Sequence, residues 1–305
     1  MKQIQAKILS NKQLQGDYFQ LDMNAPEIAQ EALPGQFVHV QIPDLEHRVL
    51  RRPFSIYDTD PATGRLSLVY KTVGEGTRKL STIPSSGNLN VIGPNGKGFT
   101  IPAAGQKAIL VAGGFGCAAT FLLAKLAPVK PIVLIGGRSK IDILLQDEYK
   151  ALGCDLRVST DDGSLGHHGL VTDLLREALA EFPNASVAAC GPNPMLKAVA
   201  AIAPTAEISL DQPMCCGVGA CFACVVKLKA DTPDGWRFAR SCMEGPVFNA
   251  THVWWVCRRS RVRPACGQEV PRASRMREKA WAQARRTAPL PTAQARRTAP
   301  PPLLL

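Results

Sequence analysis

The sequence predicts a three-part fold. A small antiparallel β-barrel (residues 1–100) is followed by a doubly wound parallel α/β sheet (101–207) and a short cysteine-bearing module (208–250). Short apolar stretches in the first hundred residues are separated by closely spaced Pro, Gly, Asp and Asn, which is typical of a barrel. After Lys107, apolar strands alternate with helical stretches, which indicates a parallel sheet. Five of the ten cysteines lie between residues 215 and 242.

Two motifs in the barrel suit a flavin. The clearest candidate strands are Phe37–Ile42 and Leu66–Tyr70, and between them Arg51–Ile56 reads R-R-P-F-S-I. Arginine can pair with a diphosphate, while serine and backbone groups can hydrogen-bond the flavin ring or its ribityl chain. Val73–Thr77 then offers N–H groups and a hydroxyl at a helix start, which suits a phosphate. The alternative for each motif taken alone is structural: an exposed arginine pair and a glycine turn.

Two loops in the α/β region suit a nucleotide. The apolar strand Ala108–Ala112 runs into the G-G-F-G loop Gly113–Gly116 and then a helical stretch, although the full G-x-G-x-x-G is absent. A second strand, Ala185–Cys190, leads into the segment C-G-P-N-P-M. An ordinary strand-to-helix turn with an early proline is the alternative for that segment. The remaining expected elements are strands 131–135 and 155–160 and a helix over 170–181.

The cysteine spacing predicts a [2Fe–2S] cluster. The ligand set is Cys216, Cys221, Cys224 and Cys242. It follows the plant-type pattern C-x4-C-x2-C…C, in which three thiolates come from one tight loop and the fourth returns from a distance. Gly217 and Gly219 allow the loop to curl. A zinc site is the alternative, but zinc usually takes paired C-x2-C knuckles, and one such pair is present here. Cys215 is a competing ligand, which we interpret as a bystander because choosing it gives C-x5-C-x2-C.

The net charge of +11 comes almost entirely from the end of the chain. Residues 251–305 hold twelve of the 36 Lys and Arg but two of the 25 Asp and Glu, so the body is nearly neutral. The segment 282–289 recurs as 293–300, and we expect this Pro-, Ala- and Arg-rich tail to be disordered, the alternative being an arm for anionic partners. No signal peptide or membrane span is evident, and ten cysteines without a secretory signal indicate a reducing compartment, so we expect the cytoplasm.

Together these motifs resemble a known family. R-P-F-S, G-E-G-T, G-G-F-G, C-G-P-N-P-M and the cysteine set occur in the order typical of the ferredoxin reductase superfamily, and most resemble the electron-transfer subunits of class 1B dihydroorotate dehydrogenase. The resemblance covers residues 1–250, and its most specific part is C-G-V-G-A-C-F-A-C. It implies FAD in the barrel, NAD in the α/β domain, and a cluster module facing a catalytic subunit that carries FMN.

The resemblance also implies roles for residues. The FAD set is Arg52, Pro53, Phe54, Ser55, Val69, Tyr70, Lys71, Gly76 and Thr77. The nicotinamide nucleotide set is Gly113, Gly114, Cys190, Gly191 and Pro192. In that family dihydroorotate is oxidised at the partner's FMN, and electrons pass through the cluster to FAD and then to NAD⁺, in de novo pyrimidine biosynthesis. We therefore expect a heterotetramer with the FMN subunit, no membrane or nucleic-acid partner, and no catalytic acid, base or nucleophile in this chain.

Two other functions compete with this one. A subunit of another flavin/iron–sulfur NAD(P)H–ferredoxin type reductase would share both large domains. A non-catalytic iron–sulfur module with a nucleic-acid arm is disfavoured by the flavin and nicotinamide motifs. NAD over NADP follows from the resemblance alone, since Arg138 and Ser139 could contact a 2′-phosphate.

Overall fold

A computed structural model of the protein describes residues 1–45, 47 and 49–255, which belong to one compact unit. The first hundred residues form a closed antiparallel barrel in the order β1-β2-β5-β4-β3-β6, which confirms the prediction. Its strands are β1 (Lys2–Gln15), β2 (Tyr18–Asn24), β3 (Phe37–Gln41), β4 (Arg52–Asp60), β5 (Arg65–Lys71) and β6 (Asn88–Asn95). Two short helices, α1 (Pro26–Ala29) and α2 (Glu75–Ser81), lie in its connections.

The α/β region is a seven-stranded sheet in the order β10-β9-β8-β7-β11-β12-β15, parallel except at its last strand. Its strands are β7 (Ala108–Gly113), β8 (Ile132–Gly137), β9 (Asp155–Thr160), β10 (His167–His168), β11 (Ser186–Cys190), β12 (Glu207–Ser209) and β15 (Val247–Asn249). Its helices are α3 (Gly116–Leu126), α4 (Gln146–Ala151), α5 (Val171–Glu181) and α6 (Asn193–Ile202). Because α3 and α4 cover one face and α5 and α6 the other, the predicted doubly wound sheet is confirmed.

Helix α3 joins the barrel to the sheet. Its residues from Gly116 to Ala124 are all buried, because one side packs on the sheet and the other on the outer wall of the barrel. The ring centroid of Phe121 lies 4.6 Å from that of Tyr57 in β4 and 5.1 Å from that of Tyr149 in α4. This two-sided burial explains why the helix is apolar all round.

The cysteine-bearing module is an insertion between the last two strands of the large sheet. It contains the hairpin of β13 (Val225–Lys229) and β14 (Trp236–Arg240), followed by α7 (Ser241–Glu244). The chain leaves after β12 and returns as β15, which pairs antiparallel with β12. At the neck, the N–H of Leu210 donates to the carbonyl of Pro246 at 2.9 Å.

The folded chain continues past residue 250, where the tail was predicted to begin. A 3-10 helix, Ala250–His252, is followed by the buried Val253, and the N–H of Trp254 donates to the carbonyl of Lys227 at 2.9 Å. These contacts attach the segment to the hairpin. The rest of the predicted tail, residues 256–305, lies outside the described residues. In the part of the chain that the structure describes, no helix has the length and apolar character needed to cross a membrane.

Candidate functional site

Two glycine loops meet at the carboxyl edge of the sheet. Strand order reverses at β7, since β8 and β9 lie on one side and β11 and β12 on the other, and such switch points are where doubly wound sheets bind ligands. The loops after β7 and β11 line a crevice of about 850 Å³ between the sheet and the barrel. All residues of the predicted nicotinamide set line it: Gly113, Gly114, Cys190, Gly191 and Pro192.

The glycines in these loops are required by close approach. A Cβ added to Gly113 would lie 2.6 Å from Cδ of Pro192, and one added to Gly191 would lie 3.0 Å from the backbone of Gly113. Neither position has room for a side chain. The two loops therefore pack backbone against backbone, which suits a ligand that is held by peptide groups.

Cys190 presents a neutral thiol to the crevice. Its burial raises the pKa of Cys190 to about 12, although the Ser209 hydroxyl acts in the opposite direction. A thiol with this pKa carries almost no thiolate near neutral pH. Its contribution to the crevice is therefore shape and polarity rather than nucleophilic attack.

A polar trio connects the barrel to the sheet across the crevice. Lys71 belongs to the predicted FAD set, whereas Tyr18 and Asp142 were not predicted as site residues. The Tyr18 hydroxyl donates to a carboxylate oxygen of Asp142 at 2.8 Å, and Nζ of Lys71 donates to that hydroxyl at 3.2 Å. Burial, followed by the hydrogen bond to Asp142, raises the pKa of Tyr18, so its proton stays in place. All three residues line the crevice and so set the spacing of its walls. They are too far apart in sequence for any local pattern to pair them.

The predicted FAD residues on β4 and β5 point to two sides of the barrel wall. Phe54 and Tyr70 belong to the barrel interior, with ring centroids 5.7 Å apart, and the Tyr70 hydroxyl donates to Asn11 at 3.0 Å. Pro53 and Ser55 alternate with Phe54 and remain partly exposed. The inward side chains thus support the wall, and a flavin could meet only their backbone.

The two flavin motifs come together in space at Arg52 and Gly76. A Cβ added to Gly76 would lie 3.2 Å from Nε of Arg52, so the guanidinium rests directly on the start of α2. The Thr77 hydroxyl accepts hydrogen bonds from the N–H groups of Val73 and Gly74 at 2.9 and 3.1 Å. Thr77 therefore shapes this loop, and the guanidinium beside it supplies the positive charge that a diphosphate requires.

The four predicted cluster cysteines lie as two pairs. In the outer pair, the N–H of each of Cys216 and Cys221 donates to the sulfur of the other, at 3.5 and 3.4 Å. The inner pair, Cys224 and Cys242, is buried against Phe37 of β3, and the Cys242 N–H donates to the Cys224 sulfur at 3.4 Å. Two pairs of thiols suit two irons that need two thiolates each. Within the described ranges, no group of three His, Cys, Asp or Glu side chains is arranged around a single metal ion.

The two pairs differ in acidity. Backbone N–H groups of Ala223 and Cys216 lower the pKa of Cys221 to about 7, which makes thiolate available at the loop surface. Burial, followed by the neighbouring Cys224, raises the pKa of Cys242 to about 12. A cluster bound here would have to displace that proton, because metals bind cysteine as thiolate.

Cys215 also lies at this loop. Its partial burial and the adjacent Cys221 raise the pKa of its thiol. The thiol of Cys215 is therefore close to the outer pair, whereas the reciprocal N–H to sulfur hydrogen bonds join Cys221 to Cys216. Its assignment as a bystander stays a prediction.

His39 lies under the same loop and was not predicted as a site residue. It is fully buried on β3, and neither ring nitrogen has a hydrogen-bond partner. Burial lowers the pKa of His39 to about 4, against an opposing effect of the Cys216 backbone, so the ring is neutral. The only sequence signal is a histidine within the otherwise apolar stretch F-V-H-V.

The cysteine-bearing module exposes several apolar side chains, of which Val218 and Phe222 lie in the cysteine loop itself. Phe222 is 59% exposed, Phe238 57% and Met243 42%, while Val218 is exposed to a lesser degree. Phe222 also has a positive φ of 57°, which is uncommon for a bulky residue, and the Arg240 guanidinium lies 5.1 Å from its ring centroid. Exposed apolar side chains of this kind are candidates for an interaction surface.

Comparison with known proteins assigns the chain to a family. Residues 5–99 match the oxidoreductase FAD-binding domain, and residues 211–254 match the iron–sulfur cluster binding domain of dihydroorotate dehydrogenase B. The dihydroorotate dehydrogenase B (NAD⁺) electron transfer subunit of Enterococcus faecalis is 41% identical over 262 residues, covering 83% of this chain and 98% of that subunit. The chain belongs to this family. The same subunit of Desulforamulus reducens is 37% identical over 83% of this chain and 99% of its own length.

Solved structures show the same fold in other reductases. A chain of the NADH-dependent reduced ferredoxin–NADP oxidoreductase superposes with a TM-score of 0.72 at 29% identity, covering 82% of this chain and 90% of that one. The cytochrome b5 reductase domain of Ulva prolifera nitrate reductase, at a TM-score of 0.54 and 20% identity, shares the fold over 64% of this chain and 89% of its own. The chain is thus an oxidoreductase electron-transfer subunit with FAD-binding and iron–sulfur-binding domains.

Proposed function

We propose that this chain carries electrons from dihydroorotate, oxidised at FMN on a catalytic partner subunit, through a [2Fe–2S] cluster and FAD to NAD⁺, in pyrimidine biosynthesis. When bound, the cluster supplies one-electron transfer and the flavin supplies hydride transfer.

The proposal is supported most directly by the position of the cysteine loop. The loop packs on strand β3, which is the neighbour of strand β4, and β4 carries a flavin motif. Phe37 of β3 packs on the inner cysteine pair and is directly opposite Ser55 of β4 in the ladder. The candidate cluster and candidate flavin sites therefore lie on adjacent strands. Electron transfer between two carriers needs this kind of fixed, short separation.

The crevice supports the nicotinamide end of the route. Its floor is the two glycine loops, and its barrel wall carries Lys71, which belongs to the predicted FAD set. A nucleotide on the glycine loops would therefore face the flavin strands. The polar trio of Tyr18, Lys71 and Asp142 holds these two walls in register.

The exposed apolar patch supports a catalytic partner at the cluster end. Membership of an electron transfer subunit family implies such a partner, and we propose that it carries FMN and forms a heterotetramer with this chain. All eight cysteines in the described part of the chain are free thiols, which suits a reducing cytoplasm. A second candidate, a ferredoxin–NAD(P)H reductase subunit, is favoured by the TM-score of 0.72 to such an enzyme.

The Arg52→Ala variant tests the flavin site. Loss of the guanidinium that rests on Gly76 removes a charge-assisted contact to the diphosphate, and we expect FAD affinity to fall roughly 10- to 100-fold, as is typical for hydrogen bonds to charged groups. Measurement of FAD content and of the FAD dissociation constant by fluorescence checks this.

Arg51→Ala is the matched control. The Arg51 guanidinium is turned to β6, where it donates to the carbonyl of Asn90 at 2.9 Å, so we expect FAD binding to change little. Equal FAD loss in both variants would assign the effect to barrel stability. Unchanged FAD affinity in Arg52→Ala would contradict the flavin site.

Nucleotide preference depends on the charges at the far end of the crevice. Arg138 lines it, but so do Asp142 and Asp161, and a carboxylate here favours a ribose hydroxyl and opposes a 2′-phosphate. We therefore expect a higher kcat/KM for NADH than for NADPH in dye reduction. Asp161→Asn should lower the ratio of kcat/KM for NADH to kcat/KM for NADPH roughly tenfold, because it removes the repulsion between the carboxylate and a 2′-phosphate.

Asp162→Asn is the control for this variant. The Asp162 carboxylate already accepts hydrogen bonds from the N–H and hydroxyl of Ser164, at 2.9 and 2.6 Å, so its loss should leave the ratio unchanged. A wild-type preference for NADPH would reverse the assignment of NAD.

A further inference from the structure

His39 is the buried polar group that the fold leaves without a partner. Its side chain has no solvent exposure, and neither Nδ1 nor Nε2 makes a hydrogen bond. Buried polar groups in native proteins nearly always have a partner, so an orphaned ring indicates a group that is not part of the polypeptide.

The ring is turned towards the backbone of the cysteine loop. A Cβ added to Gly217 would lie 2.3 Å from Nδ1 of His39, 2.7 Å from Cε1 and 2.9 Å from Cγ. The Nδ1 edge of the ring therefore lies against the residue that follows Cys216. Gly217, with φ of 68°, leaves the space that the ring occupies.

The side chains around His39 offer few alternatives as an acceptor. The nearby Arg51 and Arg52 are donors and act with burial to keep the ring neutral. Phe37, whose ring centroid is 6.4 Å away, is apolar and packs on Cys224 and Cys242. A neutral imidazole has one N–H to donate. The backbone of Cys216 lies close enough to oppose the effect of burial, but no hydrogen bond joins it to either ring nitrogen, which leaves a sulfur held by this loop as the acceptor.

We propose that His39 donates its Nδ1–H to a sulfur of the iron–sulfur cluster held by the loop, and thereby raises the reduction potential of that cluster. The inference rests on the proposed [2Fe–2S] site. Reduction adds negative charge to the sulfurs, so a fixed donor stabilises the reduced form more than the oxidised one. The hydrogen bond from His39 would therefore favour the reduced form of the cluster over transfer of the electron to FAD.

The test compares His39→Phe with His39→Asn in the full chain. Phenylalanine keeps a ring without a donor, whereas the asparagine amide can place an N–H near the position of Nδ1. Iron and sulfide content, and the midpoint potential from an EPR-monitored redox titration, are measured for each. We expect His39→Phe to shift the one-electron equilibrium at least about tenfold towards the oxidised cluster, about 59 mV more negative, and His39→Asn to recover part of that shift. Equal potentials in wild type and His39→Phe would overturn the proposal.

A measurement on the wild-type chain covers the case in which His39→Phe loses the cluster. With histidines labelled by ¹⁵N, pulsed EPR of the reduced cluster should show a histidine ¹⁵N coupling that is absent from the labelled His39→Asn variant. A reduced cluster without that coupling would overturn the proposal and leave the cluster assignment intact. A wild-type chain reconstituted without any iron–sulfur signal would instead overturn the proposed function.

Discussion

Replacement of Cys242 by serine is expected to abolish the [2Fe–2S] cluster. Cys242 is buried in the inner pair with Cys224, so serine there removes one of the four thiolates at a position that solvent does not reach freely. Iron and sulfide content should fall by more than about tenfold, since even changes beyond the ligands cost 10- to 100-fold. Iron and sulfide analysis and the visible spectrum measure this.

Cys215→Ser is the matched control, because it changes the same atom in the same region. We expect it to keep the cluster, since the spacing of the other four cysteines is complete without it. A normal cluster in Cys242→Ser would refute the assignment of the fourth ligand. Cluster loss in Cys215→Ser would move the ligand assignment from Cys216 to its neighbour.

The isolated chain is expected to pass electrons from NADH to artificial acceptors but not to oxidise dihydroorotate. Oxidation of dihydroorotate should appear once an FMN-containing catalytic subunit is added, because the candidate sites described here bind carriers only. Phe222→Asp should then weaken the complex by roughly thirtyfold, the effect of a hot-spot residue worth about 2 kcal/mol. Dihydroorotate-dependent NADH formation against partner concentration gives the measurement.

The design of this variant limits its effect on the fold. Phe222 is 59% exposed and has a positive φ, which aspartate tolerates better than phenylalanine, so NADH-to-dye activity should be preserved. The control is Phe182→Asp, an exposed residue at the end of α5 whose ring lies beside Lys107. Equal loss of both activities in Phe222→Asp would show that the residue supports the fold. Dihydroorotate oxidation without a partner, or ferredoxin-dependent activity in its place, would contradict the proposed function.

Local patterns predicted most of the elements. The strand Asp155–Thr160 has the bounds expected from the sequence, because an apolar run between turn residues is set within the segment itself. Strand β1, Lys2–Gln15, was not predicted: it is mostly polar, and Ala6 and Ile8 become core residues only once β2 and β6 pair with it. Strand β15 was missed for the same reason, since its pairing with β12 depends on a return across the whole cysteine module.

The candidate site residues also divide into those that local sequence predicts and those that depend on contacts between distant segments. Glycine loops could be located because a close backbone approach restricts residue type at each position, and all predicted nicotinamide residues line one crevice. The sequence did not distinguish Phe54 and Tyr70, which face the barrel interior, from their outward neighbours Pro53 and Ser55. His39 and the contact between Tyr18 and Asp142 could not be found, because each depends on segments that meet only in the folded chain.

The neck between Leu210 and Pro246 has a consequence for how this protein could be re-engineered. The chain enters the cysteine module after β12 and leaves it into β15, and these two strands pair with each other. The module is therefore an insertion in the sheet whose two ends lie side by side. A graft of the cysteine loop alone would leave the recipient without the returning edge strand. A graft cut within β12 and after Trp255 would carry its own closure, including the contact of Trp254 with the hairpin. Natural recombination faces the same geometry: a single crossover within β12 would carry the module together with its closing strand β15.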